Sequence, residues 1–230
     1  MLKFDGSILL SGSKGIAPAI RTFSQMMPVL LHPELEGNFL PDAPLYFMYR
    51  EVRKFSSIRY DITRILPVDL CGERNKTFGH THPGGWPEAY EVLGGSAHFL
   101  LQKISSSGSV EEALLLSAKK GDCFLVPPGY GHVTINAGRT ELLMANLVSD
   151  RFQSDYSLFE SKHGACIYET SDGKTVKNKN YADGFAVKKD SAVKFSSAYK
   201  CFEPFRKKTL LEAAKNFADI EFLEKPEKFC

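Results

Sequence analysis

Between residues 45 and 148 the chain is cut into short apolar segments by turn-forming residues, and this spacing constrains the fold more than any other feature. Segments 45–52, 57–65, 89–93, 96–104, 112–117, 122–126, 132–136 and 141–148 each have the length and residue types of a strand. Gly94-Gly95, the serine-rich stretch 105–109, Lys120-Gly121, Pro127-Pro128-Gly129 and Ala137-Gly138-Arg139 separate several of them. Short strands recurring about every 8–12 residues predict an antiparallel sandwich or barrel. Within 96–104, Ala97, Phe99 and Leu101 fall on one face and His98 and Gln102 on the other, as a period of two requires. His98 is therefore expected outside the apolar face, in a structural role.

The flanks read differently. Residues 7–10 suggest a short strand, and 20–31 a helix that Pro28 ends or kinks. Residues 165–170 and 174–176 predict a hairpin around Ser171-Asp172-Gly173, because Asp-Gly favours tight turns. Near the C-terminus, Leu210, Leu211, Ala214, Phe217 and Ala218 recur at helical spacing, with Thr209 near the start. This predicts an amphipathic helix over 208–219, packed on the barrel or offered to a partner.

Composition narrows the function classes. With 230 residues, 43% of them hydrophobic, the chain can form one large domain or two small ones. A net charge of +2 from 29 basic and 27 acidic residues gives no bulk basic footprint for nucleic acid. No apolar run reaches the roughly 20 residues of a membrane span, and the first residues lack a signal-peptide pattern. Five cysteines without a CxxC pair speak against a disulfide framework or a zinc knot. The expectation is a soluble, cytoplasmic protein with neither nucleic acid nor membrane as partner.

The chemistry is concentrated in two segments. In the first, His80 and His82 stand two apart, so on a strand they share a face, and Glu88 follows across a Pro/Gly turn. In the second, Gly121-Asp122 leads through Pro127, Gly129 and His132 to Asn136. Three neutral imidazoles and a carboxylate suit one divalent transition metal ion, Fe, Mn, Ni, Co or Zn, with positions left open for water or substrate. Glu91 is offset from Glu88 by an odd number and points to the opposite strand face. Trp86 and Pro87 are expected to shape the turn between the ligands, while His32 and His163 carry no assigned role.

These segments resemble the paired motifs of the cupin superfamily: His80, His82, Glu88 and Gly95, then Gly121, Pro127, Gly129, His132 and Asn136. One departure is Arg74 at the position where the motif has glycine, the nearest being Gly72. The resemblance implies a mainly β fold, a cupin double-stranded β-helix (jelly-roll) barrel with a few peripheral helices. It also implies His80, His82, Glu88 and His132 as metal ligands.

Thr77-x-Gly79-His80-x-His82, Glu88-Ala89-Tyr90, Leu100-Leu101-Gln102 and Val126-Pro127-Pro128 further resemble the cupin-type glucose-6-phosphate isomerases. Pieces around Tyr46, Thr63, Asp155-Tyr156 and Lys162-His163-Gly164 agree. This likeness covers 1–182 and leaves 183–230 as a C-terminal extension. It implies a sugar phosphate partner, a homodimer and a place in glycolysis and gluconeogenesis. It assigns phosphate binding to Thr63, Thr77 and Gly79, sugar contacts to Tyr46 and Tyr90, and catalytic roles to Glu88, Tyr90 and His132. Departures fall at Val148 and Ser154, where some members have tyrosine and histidine, and at Phe78, where a lysine is frequent. The same ligand set also serves cupin dioxygenases and sugar epimerases. A non-catalytic sugar-phosphate-binding cupin is the third alternative.

Overall fold

Alternation along the strands sorts their side chains into two faces, and the structure uses both. The chain is described by a computed structural model that covers residues 3–11 and 14–229. Its framework strands are β1 (Pro44–Phe55), β2 (Ile58–Ile65), β3 (Glu88–Gly94), β4 (Ser96–Ile104), β5 (Val110–Lys119), β6 (Cys123–Val126), β7 (Gly131–Asn136) and β8 (Leu142–Ser149). Each coincides, within a few residues at either end, with a segment expected from sequence.

The strands form two sheets. One runs β6-β3-β8-β2-β1 and ends on the edge strand Ala19–Thr22; the other runs β7-β4-β5 and ends on Val187–Ser191. Pairing is antiparallel throughout except for Val187–Ser191, which lies parallel to β5. This is the double-stranded β-helix expected. At the β3–β4 corner Gly95 has φ +83°, and a Cβ there would stand 2.7 Å from the Glu141 carbonyl oxygen, so only glycine fits.

Even-numbered residues of β3 and β8, such as Tyr90, Val92 and Met144, point between the sheets. There they join Phe99, Leu101, Phe124 and Val133 in the main core. Odd-numbered ones, such as Ala89, Ala145 and Leu147, point outward with Tyr60, Ile62 and Leu125. That outward face is covered by the C-terminal region through Phe202, Phe205, Leu210, Phe222 and Leu223, all buried. Fully burying each such side chain is worth roughly 1.5–3 kcal/mol. Glu91 follows the odd-numbered pattern: its carboxylate accepts the Leu210 backbone N–H at 2.8 Å, on the face away from Glu88.

Two helical expectations are corrected. Over 20–31 the structure has the strand Ala19–Thr22, one α-turn Phe23–Met26 and a 3-10 turn Met27–Val29. A Thr22/Gln25 capping box starts the helix there, and Pro28, lacking an N–H, stops it from continuing. Over 208–219 the helix is broken into Leu210–Ala213 and Phe217–Ile220, because Asn216, just before the second turn, is extended. The predicted hairpin forms, Ile167–Glu169 pairing with Thr175–Lys177. His98 Nδ1 lies 2.7 Å from Glu169, outside the main core as expected.

Candidate metal centre

Glu88 opens β3, and His132 is the second residue of β7. His80 and His82 lie on the preceding extended segment, which bridges to β7 between His80 and His132. A positive φ at Gly79 (+88°) turns the chain just before His80. A Cβ at Gly79 would lie 2.5 Å from the Phe159 ring and 2.7 Å from Val133, so this approach to the sheet requires glycine. One nitrogen from each of His80, His82 and His132 and one oxygen of Glu88 come within 4.8 Å of one another.

The hydrogen bonds around these four groups fix their orientation. His82 Nδ1 lies 2.8 Å from the Trp86 carbonyl oxygen, so it carries the proton and Nε2 presents a bare lone pair. That Nε2 is 3.1 Å from His80 Nε2 and 3.4 Å from Glu88 Oε2. Glu88 Oε1 accepts from Asn146 Nδ2 at 2.7 Å, while Oε2 faces His132 Nε2 at 3.2 Å. Glu88 Oε2 is buried with no hydrogen-bond partner, as is His132 Nδ1. Converging lone pairs and an orphaned carboxylate oxygen are an acceptor-rich arrangement that a cation completes, so these residues fit one metal ion.

Electrostatics agree. Burial, together with the neighbouring imidazoles, holds His80 well below the usual histidine range. Burial also lowers His82 to about 4, with Glu88 opposing only in part. Both are thus neutral ligands near pH 7. Burial opposes ionisation of Glu88, yet contact with the two imidazoles and the Tyr90 hydroxyl holds its carboxyl below the usual range. Burial and the adjacent Glu88 push the Tyr90 phenol well above its ordinary value, so it keeps its proton.

His80, His82 and Glu88 line a narrow cleft, and so do Tyr46, Thr63, Thr77, Gly79 and Tyr90. Every residue given a metal, phosphate, sugar or catalytic role from sequence thus lines this cleft or, as His132 does, belongs to the ligand group. Tyr90 Oη is 3.1 Å from His132 Nε2, and Tyr46 Oη accepts the Phe78 backbone N–H at 3.3 Å. Val148 and Ser154 lie on the same walls. Sequence reasoning missed Asn146, Arg50 and Arg59, and it gave Tyr156 no role. Asn146 shares the inward face of β8 with Met144 and Val148, a signal that alternation carries.

Residues 20–186 match the family model described as glucose-6-phosphate isomerase (GPI). The chain belongs to this family. The GPI match spans strands β1 to β8 and all four candidate ligand positions, and it leaves the edge strand Val187–Ser191 and the rest of the C-terminal region outside. No curated protein matches the chain significantly in sequence.

Solved structures that align with this GPI-family chain include an oxalate oxidase, with 18% identity, TM-score 0.37, and coverage of 48% of this chain and 51% of that one. An oxalate decarboxylase–formate complex from Lactobacillus farciminis aligns with 19% identity and TM-score 0.37 over 48% of this chain and 30% of that one. A Klebsiella pneumoniae protein with a double-stranded β-helix domain aligns with 17% identity and TM-score 0.36 over 48% and 84%. The chain spans about half the length of the oxalate oxidase it matches. Likeness at this level carries no functional inference. Among the described residues no helix is long and apolar enough to cross a membrane.

Proposed function

We propose that this protein is a metal-dependent aldose–ketose isomerase that interconverts glucose 6-phosphate and fructose 6-phosphate. The observation that carries this reading is one cleft that joins the ligand residues to Tyr46, Thr63, Thr77, Gly79 and Tyr90, within a GPI-family domain. His80, His82, Glu88 and His132 would hold one divalent transition metal ion. When bound, the ion supplies Lewis-acid polarisation at the C1 and C2 oxygens of the open-chain sugar.

The chain's own groups divide the remaining work. Thr77 Oγ1 accepts the Thr134 backbone N–H at 2.9 Å, which leaves its hydroxyl proton free to point at a phosphate oxygen. Tyr90, protonated and buried, serves as a hydrogen-bond donor to the sugar rather than as a base. Glu88 is a poor base while it serves as a ligand, because a bound cation lowers its proton affinity. The C2 hydrogen therefore has two routes. It moves with its electron pair directly to C1, or it leaves as a proton through an enediol and a proton is returned at C1; in both routes the O2 hydroxyl gives up its proton and O1 gains one, so that the carbonyl passes from C1 to C2. With C2-deuterated glucose 6-phosphate, label retained at C1 of the product supports the direct shift. Washout into water supports the enediol.

The deciding experiment combines metal analysis of purified protein with a coupled glucose 6-phosphate/fructose 6-phosphate assay before and after chelation. Isomerisation that is lost with the metal and restored on reloading is expected. His132→Ala should lower metal affinity by at least about a hundredfold and abolish turnover. Full activity in that variant would refute the site. The reading extends to a cytoplasmic homodimer with a sugar phosphate as its ligand. Its edge strand Ala19–Thr22, with Ile20 44% exposed, is available for pairing. Light scattering on the eluted protein tests the dimer.

A further inference from the structure

A phosphate monoester carries about −1.5 to −2 charge at neutral pH. Thr63, Thr77 and Gly79 offer it hydroxyls and a backbone N–H, all neutral, in a cleft that also contains the Glu88 carboxylate. Among the residues that line the cleft, the cationic side chains are Arg50 and Arg59.

Their arrangement is built. Arg50 Nη1 and Arg59 Nε both donate to Asp61 Oδ2, at 2.8 and 2.7 Å. Asp61 Oδ1 accepts the backbone N–H of Glu51 at 2.8 Å. Glu51 sits at φ +51°, where the β1–β2 register slips between Tyr49 and Arg53. A bulge of this kind re-aims side chains, and here it accompanies Arg50 on the cleft wall. The Asp61 side chain is 1% exposed, against 22% for Arg59 and 44% for Arg50. One buried carboxylate thus orients two guanidiniums that remain open to solvent, with a surplus of one positive charge. Each guanidinium has five N–H donors, so the bonds to Asp61 leave most of the fork for a ligand.

The position suits the task. Arg59 and Asp61 lie opposite Val148 and Asn146 in the β2–β8 register, and Asn146 is the residue that anchors Glu88. Thr63 follows two residues beyond Asp61, on the same face of β2. Both arginines line the same cleft as His80, His82 and Glu88.

We propose that Arg50 and Arg59, paired through Asp61, grip the phosphate group of the substrate and supply the charge that the neutral Thr63/Thr77/Gly79 cradle lacks. This inference rests on the isomerase reading. Its test measures binding of sorbitol 6-phosphate, which cannot isomerise, and of inorganic phosphate to the metal-loaded protein by calorimetry, alongside fructose 6-phosphate kinetics.

In Arg59→Gln and Arg50→Gln, affinity for both phosphate probes should fall about ten- to a hundredfold, the range for losing a charged donor. KM should rise by a similar factor with a much smaller change in kcat, and metal affinity should stay at the parent value. Arg59→Lys should fall between parent and Arg59→Gln, because it restores charge without the planar fork. Parent-like binding of sorbitol 6-phosphate in both glutamine variants would overturn the inference, as would an equal loss of metal affinity. Arg50, the more exposed of the two, gives the decisive variant if Arg59→Gln does not fold. A parent protein that neither binds nor isomerises sugar phosphates refutes the isomerase reading itself. A parent that does both, with matching variants, refutes only the arginine grip.

Discussion

Glu88 is fixed at one oxygen by Asn146 and left open at the other, among nitrogens that burial keeps unprotonated. This has a consequence for the metal-free protein. An unfolded histidine titrates near 6.5, whereas His82 in the fold is lowered to about 4 and His80 is lowered in the same direction. Between those values the unfolded chain binds protons that the folded chain refuses, so stability falls as pH falls. The contribution is fully present above about pH 6.5 and is lost towards pH 4. For His82 alone the loss is on the order of 3 kcal/mol. Denaturant unfolding of chelated protein at several pH values from 7.5 to 4.5 checks it, and a flat profile would contradict the buried neutral imidazoles. The four residues that converge at the candidate metal centre were legible in the sequence because their types and spacing are the chemistry. Arg50 was not, because the irregular backbone at Glu51 breaks the alternation that assigns residues to faces.

At the scale of elements, the extended segment 75–82 is positioned by contacts rather than by regular pairing. Isolated bridges join Lys76 to Ile135 and His80 to His132. Lys76 and Glu73 form a buried ion pair, and Lys76 also lies 4.6 Å from the Tyr168 ring centre. Gly79 is the tight point of this segment. In Gly79→Ala the new methyl meets Phe159 and Val133 and the backbone stays at φ +88°. Overpacking and left-handed strain together should destabilise by about 2–5 kcal/mol. Because His80 is the next residue, metal affinity should fall as well. Thermal unfolding and metal titration of that variant read the two effects separately. The strands were legible because turn residues bracket them. The helix expected over 20–31 ends at Pro28 as read but was overextended at its start, where Ala19–Thr22 pairs as a strand, and the one expected over 208–219 missed the break at Asn216, which apolar spacing does not show. Among the described residues the two buried thiols, Cys123 and Cys166, are pushed up to about 12 by burial and act as packing.

At the scale of the whole molecule, the C-terminal region is a third layer on the outer face of the larger sheet. Its presence was foreshadowed by strands apolar on both faces, such as β8, where Ala145 and Leu147 face outward while Met144 and Val148 face inward. Which residues would reach across could not be read from spacing, because the contacts join positions from about 70 to about 170 residues apart. Glu224 is the clearest of these. Its Oε1 accepts from Ser56 Oγ at 2.9 Å, from the Ser57 hydroxyl, and from Arg151 Nη2 at 2.8 Å. It therefore ties the β1–β2 turn, where Ser56 has φ +56°, to the loop that follows β8. That loop carries Phe152, stacked on Trp86 and 4.4 Å from the His82 ring, and then Ser154 and Tyr156 on the cleft wall. Removing the carboxylate in Glu224→Ala releases the loop without touching a ligand. Stability should fall by about 1–3 kcal/mol, the scale of a lost charged hydrogen-bond hub. The Phe152 wall should loosen, so KM for fructose 6-phosphate should rise several-fold while metal content stays at the parent level. Glu224→Gln keeps the shape and an acceptor oxygen and should recover most of the loss. If Glu224→Ala lowers stability yet leaves KM at the parent value, the C-terminal layer supports the sheet alone. If KM rises in Glu224→Ala and recovers in Glu224→Gln, that layer also sets the geometry of the cleft.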